Sequence, residues 1–268
     1  MPLEKALDPN GNEVIVTVPL PEGALKATVW CLKIGRVPLL LLDTNIPDNR
    51  HEFRSITAQL YGGNRLNRLR QELLLGIGGF RALIALGYEP AVCHMNEGHA
   101  AFLSMARIEY FMKSKGLSLK QAKEIVPRCS VFTTHTPVPA GNETFEPKLL
   151  RPHLDAVETE TGLSSKAFVR LSQAPGSESE TEASMTILGL QMAKYANGVS
   201  KLHGEVARQM WSHLWPGRAE DEVPIGHVTN GVHVPTWLSA QNVALFDRYI
   251  GPSWRNHPGA KTTLEGVN

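Results

Sequence analysis

Two short runs concentrate side chains that can do chemistry: His94-Met95-Asn96-Glu97-Gly98-His99 and Thr133-Thr134-His135-Thr136-Pro137. His and Glu this close together raise the question of a metal. An inverted zinc-protease helix needs His-x-x-Glu-His, with both ligands on one helical face. Gly98 separates Glu97 from His99 and breaks that register, so no metal ligand is assigned. Asn, Glu and His at a strand-to-helix turn offer mixed donors and acceptors aimed into a cleft. Hydroxyl-rich ligands such as sugars need that kind of directional pairing. A local role for His99, as a cap or packing group, stays open beside this reading. Pro137 and Pro139 bar a helix after His135 and hold it in an extended exit. No Gly-x-Ser-x-Gly elbow is present, so the Ser, His and Asp residues are not read as a hydrolase triad.

These runs need elements to position them. Glu13 to Val18 alternates, Ala27 to Ile34 is β-branched and aromatic, and Val37 to Asp43 is a continuous apolar run. All three read as strands, the last buried on both faces as in a parallel sheet. From Arg65 to Leu86 the apolar residues fall at helical spacing, with Gly87 as the stop. The rhythm that follows is a strand at Ala91 to His94, helices at Glu97 to Lys115 and Leu119 to Val126 (cut by Pro127), and a strand at Ser130 to Thr134. A helix at Thr186 to Tyr195, a strand end at Gly198 to Ser200, a helix at Leu202 to Trp215 and a strand at Ile225 to Thr229 continue it. Residues 141 to 182 read as less regular. Such alternation implies βαβ units around a parallel sheet, whose ligands bind outside the carboxyl ends of the strands. The polar clusters at Asn96 to His99, Thr133 to Thr136, Asn197 to Ser200 and Thr229 to His233 all follow strands and are expected at that edge.

Other residues have plainer readings. Gly76, Gly78 and Gly79 lie inside a helical pattern and serve close packing rather than phosphate binding. Arg65, Arg68 and Arg70 read as a solvated face, the alternative being that one of them reaches the cleft. Trp211, Trp215 and Trp237 read as core. Cys31, Cys93 and Cys129 are scattered in apolar runs and read as small buried hydrophobes. The 268 residues carry a net charge of +1, 42% hydrophobic and 20% charged residues. That balance gives no global field for nucleic acid or anionic membrane. Neither a signal peptide nor a bilayer-length apolar run is seen, so a cytoplasmic protein is expected.

Four longer stretches then carry a resemblance: His94-Met-Asn-Glu-Gly-His-Ala-Ala-Phe102, Phe132-Thr-Thr-His-Thr-Pro-Val-Pro-Ala-Gly141, Tyr195-Ala-Asn-Gly-Val-Ser-Lys-Leu-His-Gly-Glu205 and His227-Val-Thr-Asn-Gly-Val-His-Val-Pro-Thr-Trp237. Together with Arg70-Gln71-Glu72, they resemble the α-glucan (glycogen, maltodextrin) phosphorylases of the short bacterial and archaeal type, from about Val37 to Leu238. The resemblance implies an α/β fold, a Rossmann-like parallel sheet of a GT-B type glycosyltransferase, mostly its N-terminal domain. It divides the chain into a β-rich segment at 1–45, the Rossmann-like part at 46–238 and the start of an inter-domain region at 239–268. It implies phosphorolysis of α-1,4-glucan with inorganic phosphate to α-glucose 1-phosphate, using pyridoxal 5'-phosphate. By resemblance His135 and Asn197 hold the hydroxymethyl group of the reacting glucose. His99, Glu97 and Asn96 lie along the sugar channel, and Arg68 opens the helix after a mobile gate loop.

The sequence also departs from that pattern. The glycine-rich loop near substrate phosphate, the Schiff-base lysine and the basic phosphate-holding residues are not in it. Pro139-Ala140-Gly141 holds no carboxylate where longer members carry a Glu. A central fragment is therefore expected, inactive alone, with no catalytic or cofactor-binding residue of its own and with an apolar face left uncovered. The alternatives are a non-catalytic glucan-binding module and a nucleotide-sugar glucan synthase of the same architecture. A homo-oligomer stays open.

Overall fold

The computed structural model describes residues 3–60, 62–138, 142–178 and 181–255, without the side chain of Pro235. The Pro139-Ala140-Gly141 stretch, and Ser179 and Glu180 at the end of a run whose composition reads as a loop, lie outside them. Contacts divide the chain into units 1–228 and 229–268.

The first unit opens with an antiparallel sheet of β1 (Leu3–Lys5), β2 (Ile15–Leu20), β3 (Gly23–Ile34) and β4 (Val37–Asp43). The long β3 is its spine, pairing with β1, β2 and β4. Alternation in β2 buries Val16 and Val18 and leaves Ile15 and Thr17 outside, the period of two expected for a half-buried strand. The β4 run is not the doubly buried parallel strand that its composition implies. It pairs antiparallel to β3, and Val37, Leu39 and Leu41 are exposed.

Next come α1 (Arg65–Leu73), a π turn (Leu74–Gly78) and α2 (Gly79–Ala85), where the sequence implies one unbroken helix. Asn64 caps α1, its side chain accepting from the Asn67 N–H. A Cβ added at Gly76 would lie 2.6 Å from the Leu103 nitrogen, so glycine there lets the π turn press against the segment following His99. No such crowding surrounds Gly79, and the packing role read for it does not hold.

The parallel sheet is built from β5 (Cys93–Asn96), β6 (Ser130–Thr134), β9 (Tyr195–Gly198) and β10 (Ile225–His227), in the order β10-β9-β6-β5. Between β5 and β6 run α3 (Leu103–Lys115) and α4 (Leu119–Arg128). A 3-10 turn at Gly98–Ala100 precedes α3, so the expected helix from Glu97 starts late. Pro127 lies inside α4 rather than ending it. Between β6 and β9 lie β7 (Thr144–Phe145), α5 (Pro147–Thr161), α6 (Ser165–Leu171), β8 (Ala183–Ser184) and α7 (Met185–Gln191). Two helices therefore occupy the stretch that reads as irregular, and Tyr195 opens a strand rather than closing a helix. The last crossover is α8 (Lys201–Trp211). Each step along the sheet advances in one direction through helical connections, the βαβ pattern implied by the sequence.

A large core joins Val16, Val18 and Leu25 of the antiparallel sheet to Leu73, Ile77, Phe102, Met105 and Leu154. A second gathers Met95, Phe132, Ile187, Trp211 and Ile225 around the parallel sheet. In the second unit, α9 (Val234–Trp237) and α10 (Ala240–Tyr249) form short helices. Trp237 is 79% exposed and not a core residue. Cys93 is buried but Cys31 and Cys129 are only half-buried. Among the described residues no helix is long and apolar enough to cross a membrane.

Candidate functional site

The carboxyl ends of β5 and β6 open onto a cleft of about 320 Å³ lined by Arg68, Asn96, Glu97, Gly98, His99, His135, Thr136, Glu143 and Thr186. The two polar runs of the sequence thus meet here, joined by one arginine from α1 and one carboxylate from the segment before β7. Strand register explains the meeting, because Asn96 stands opposite Thr133 and Thr133 opposite Asn197.

Glu97 has φ 73° and ψ 170°, and among the described residues it alone departs from negative φ without being glycine. That backbone region is essentially glycine's, and holding another residue there costs about 1–3 kcal/mol. Its N–H donates to the Thr133 carbonyl at 2.9 Å. Its carboxylate accepts from the His135 N–H at 3.1 Å and from the Thr136 hydroxyl at 2.7 Å. His135 Nε2 bonds to Asn96 Oδ1. With that oxygen as partner, Nε2 carries the hydrogen and Nδ1 is left as an acceptor. The following Gly98 is needed for closeness, since an added Cβ would stand 2.9 Å from the Thr186 nitrogen at the start of α7.

Arg68 is not part of a solvated face. Its Nε lies 3.1 Å from Glu72 Oε1 and 3.2 Å from Glu143 Oε2. Arg70 likewise pairs with Glu22 at 2.7 Å, while Arg65 remains exposed beside Glu182. Burial pushes the Glu72 carboxyl up to about 8, Glu143 adding to the rise and Arg68 opposing it. Its Oε2 has no hydrogen-bond partner among the described residues. Burial, then the charge of Arg68, lowers the His99 pKa and favours a neutral imidazole. Arg68 and His99 also line an adjoining hollow of about 340 Å³ with Gln71, Glu72 and Leu75.

Asn197 does not line the cleft. Thr133 donates to its Oδ1 at 3.1 Å, and His94 Nε2 lies 2.6 Å from that same hydroxyl. A threonine has one hydrogen, so the imidazole is the donor in the His94–Thr133 pair. The relay spans β5, β6 and β9 at their carboxyl ends. Beyond Asn197, Ser200 caps α8, and His203 Nδ1 accepts from the Val199 N–H at 3.2 Å, which fixes the turn. The Thr229–His233 cluster belongs to the second unit.

Sequence reasoning missed Glu143, Glu72 and Thr186 as site groups. Glu72 had a readable signal, because it stands one turn after Arg68 on the same helical face. Glu143 had none, being a loop residue two positions past the Pro139-Ala140-Gly141 stretch.

A family model for carbohydrate phosphorylase matches residues 83–267. The chain belongs to that family. It is 44% identical, over its full length, to a glycogen phosphorylase of Mycobacterium tuberculosis, covering 32% of that protein. To a maltodextrin phosphorylase of Thermococcus litoralis it is 40% identical, again over its full length and covering 31% of the relative. A glycogen phosphorylase of Aquifex aeolicus is 37% identical over 95% of this chain and 36% of its own length. This family member thus spans about a third of the curated relatives it matches, a fragment's share. The match favours the phosphorylase reading over a nucleotide-sugar synthase.

The cleft itself does not fit pyridoxal phosphate. No lysine is among its lining residues, and its two carboxylates, Glu97 and Glu143, outnumber its one guanidinium. A phosphate group needs the opposite balance.

Proposed function

We propose that this chain forms one wall of the sugar site of an α-1,4-glucan phosphorylase, which releases α-glucose 1-phosphate from non-reducing ends with inorganic phosphate. Its parallel sheet would be the Rossmann-like N-terminal part of a GT-B enzyme working in the cytoplasm. The observation that carries the reading is the convergence of Arg68, Asn96, Glu97, His99 and His135 on one polar cleft. Such a cleft offers hydroxyls both acceptors (His135 Nδ1, the Glu143 carboxylate) and donors (the Asn96 amide, Arg68), which a sugar's two-way hydroxyls can satisfy together. Asn197 does not line this cleft, so the hydroxymethyl group would fall to His135. Pyridoxal phosphate and its chemistry would come from outside this cleft, so the chain's own work is to bind and orient the glucan end.

Calorimetry of the 268-residue chain with maltoheptaose tests this. Heat of binding is expected, reduced at least about tenfold in affinity by His135→Ala, the loss of one good polar contact pair. The same chain given maltodextrin and phosphate should release no glucose 1-phosphate. No heat with the wild type would overturn the sugar reading, and turnover would overturn the division of labour. A glucan-binding module without catalysis is the second reading, favoured by the misfit between the cleft and the cofactor.

A further inference from the structure

We infer that Glu97 is a positioning residue rather than a sugar ligand: its carboxylate is a latch that holds the His135–Thr136 segment in the shape the cleft requires. The inference rests on the sugar reading for its consequence, but not for its geometry. Each carboxylate oxygen already has a protein partner, Oε1 the His135 N–H at 3.1 Å and Oε2 the Thr136 hydroxyl at 2.7 Å. The same residue's N–H is tied to the Thr133 carbonyl at 2.9 Å, so β5 grips both the end of β6 and the segment leaving it. Asn96 adds a fourth tie through His135 Nε2.

The backbone carries the second, independent observation. Strained φ, ψ values persist where the surroundings over-determine them. Glycine would adopt φ 73° and ψ 170° freely, yet the sequence spends its glycine on the next position, where Thr186 leaves no room for a Cβ. A carboxylate at position 97 is therefore kept against its backbone preference. The work that its position allows is to accept from two consecutive residues of a segment that leaves β6 with no ladder partner beyond Thr134 among the described residues. Without that acceptor pair the His135 N–H loses its partner, and the imidazole that faces the cleft loses its fixed base.

Amide exchange by NMR and calorimetry with maltoheptaose, on Glu97→Ala, Glu97→Gln and Glu97→Asp of the 268-residue chain, test the latch. In E97A the His135 amide should exchange at least about tenfold faster while the Phe132 amide inside β6 keeps its protection. E97Q, which retains one acceptor oxygen, should fall between E97A and wild type. Maltoheptaose affinity should fall in step with His135 exchange across the three variants. If Phe132 also loses protection in E97A, the comparison passes to E97Q and E97D. Unchanged His135 exchange overturns the latch, and weakened sugar binding with unchanged exchange makes Glu97 a direct sugar ligand instead. A wild type that binds no maltoheptaose sinks the sugar reading alone, and the exchange result still decides the latch.

Discussion

Glu72 is four positions from Arg68, so the two side chains stack on one face of α1 and meet at 3.1 Å. Its side chain is 1% exposed, and burial is the largest cause of a carboxyl pKa near 8, well above the unperturbed 4.5. The sign of the linkage follows. Between these two values the folded chain holds a proton that the unfolded chain has released, so Glu72 makes stability fall as pH rises through that window. Below it both states are protonated and the effect vanishes. Glu72→Gln keeps the shape without the charge. Urea denaturation should find E72Q more stable than wild type at pH 8, on the order of 2 kcal/mol, with the advantage shrinking to nothing near pH 4. Equal slopes of stability against pH in the two proteins would refute the protonated Glu72. At this scale the sequence was legible where polar residues follow apolar strands: Asn96, Glu97, His99 and His135 announce themselves that way. Glu143 was not, since it reaches Arg68 across 75 positions of chain. The latch by Glu97 was not either, because backbone torsion and the direction of a carboxylate leave no mark in composition.

The elements were legible where periodicity is simple. The parallel strands β5, β6 and β10 fall within a few residues of their apolar runs, and Gly87, at φ 81°, ends the helix it was expected to end. Helices α5 and α6 escaped notice because Pro147, Pro152 and Gly162 punctuate them. Yet Pro147 occupies the first turn of α5, where a missing N–H is harmless, and Gly162 is its left-handed C-cap. The π turn after α1 was invisible for a different reason. One extra residue in a turn shifts the apolar face by about 100°, and an all-apolar stretch such as Leu73 to Ile77 hides that shift. The turn brings Gly76 against Phe102 and Leu103, and so ties α1, which carries Arg68, to the segment that carries His99. Gly76→Ala should force backbone apart, because the obstruction includes the Leu103 nitrogen at 2.6 Å rather than a flexible side-chain tip. A loss of about 2–3 kcal/mol in denaturant unfolding is expected, with shifted NMR resonances for His99. Gly79→Ala, with nothing within 4 Å of the new Cβ, is the control and should be neutral or slightly stabilising.

For the first unit as a whole, the antiparallel sheet poses a problem of surface rather than of core. Val37, Leu39 and Leu41 alternate along β4 and therefore share a face, and their partners on β3 are Ile34, Leu32 and Trp30. Val37, Leu39, Leu41 and Ile34 are 60%, 42%, 40% and 47% exposed. The outer edge of β4 has no ladder partner among the described residues. An apolar run alone cannot say whether a strand is buried, since that depends on what packs over it, and here the continuous run gave the wrong environment for the right element. A long apolar strand with a free edge is a template for pairing with another chain. The 268-residue chain should therefore self-associate with rising concentration in sedimentation velocity. Replacing Leu39 and Leu41 together by Lys places two charges on that face, and natural edge strands use lysine for the same purpose. The double variant should sediment as a monomer at concentrations where wild type does not, with an unchanged circular dichroism spectrum. Because Leu39 and Leu41 are 42% and 40% exposed and belong to neither core cluster, the replacement removes little packing, and its unfolding free energy should stay within about 0.5 kcal/mol of wild type. Equal association in the two proteins would move the sticky surface away from β4, toward the exposed Tyr195, Leu202 and Val228 at the other sheet.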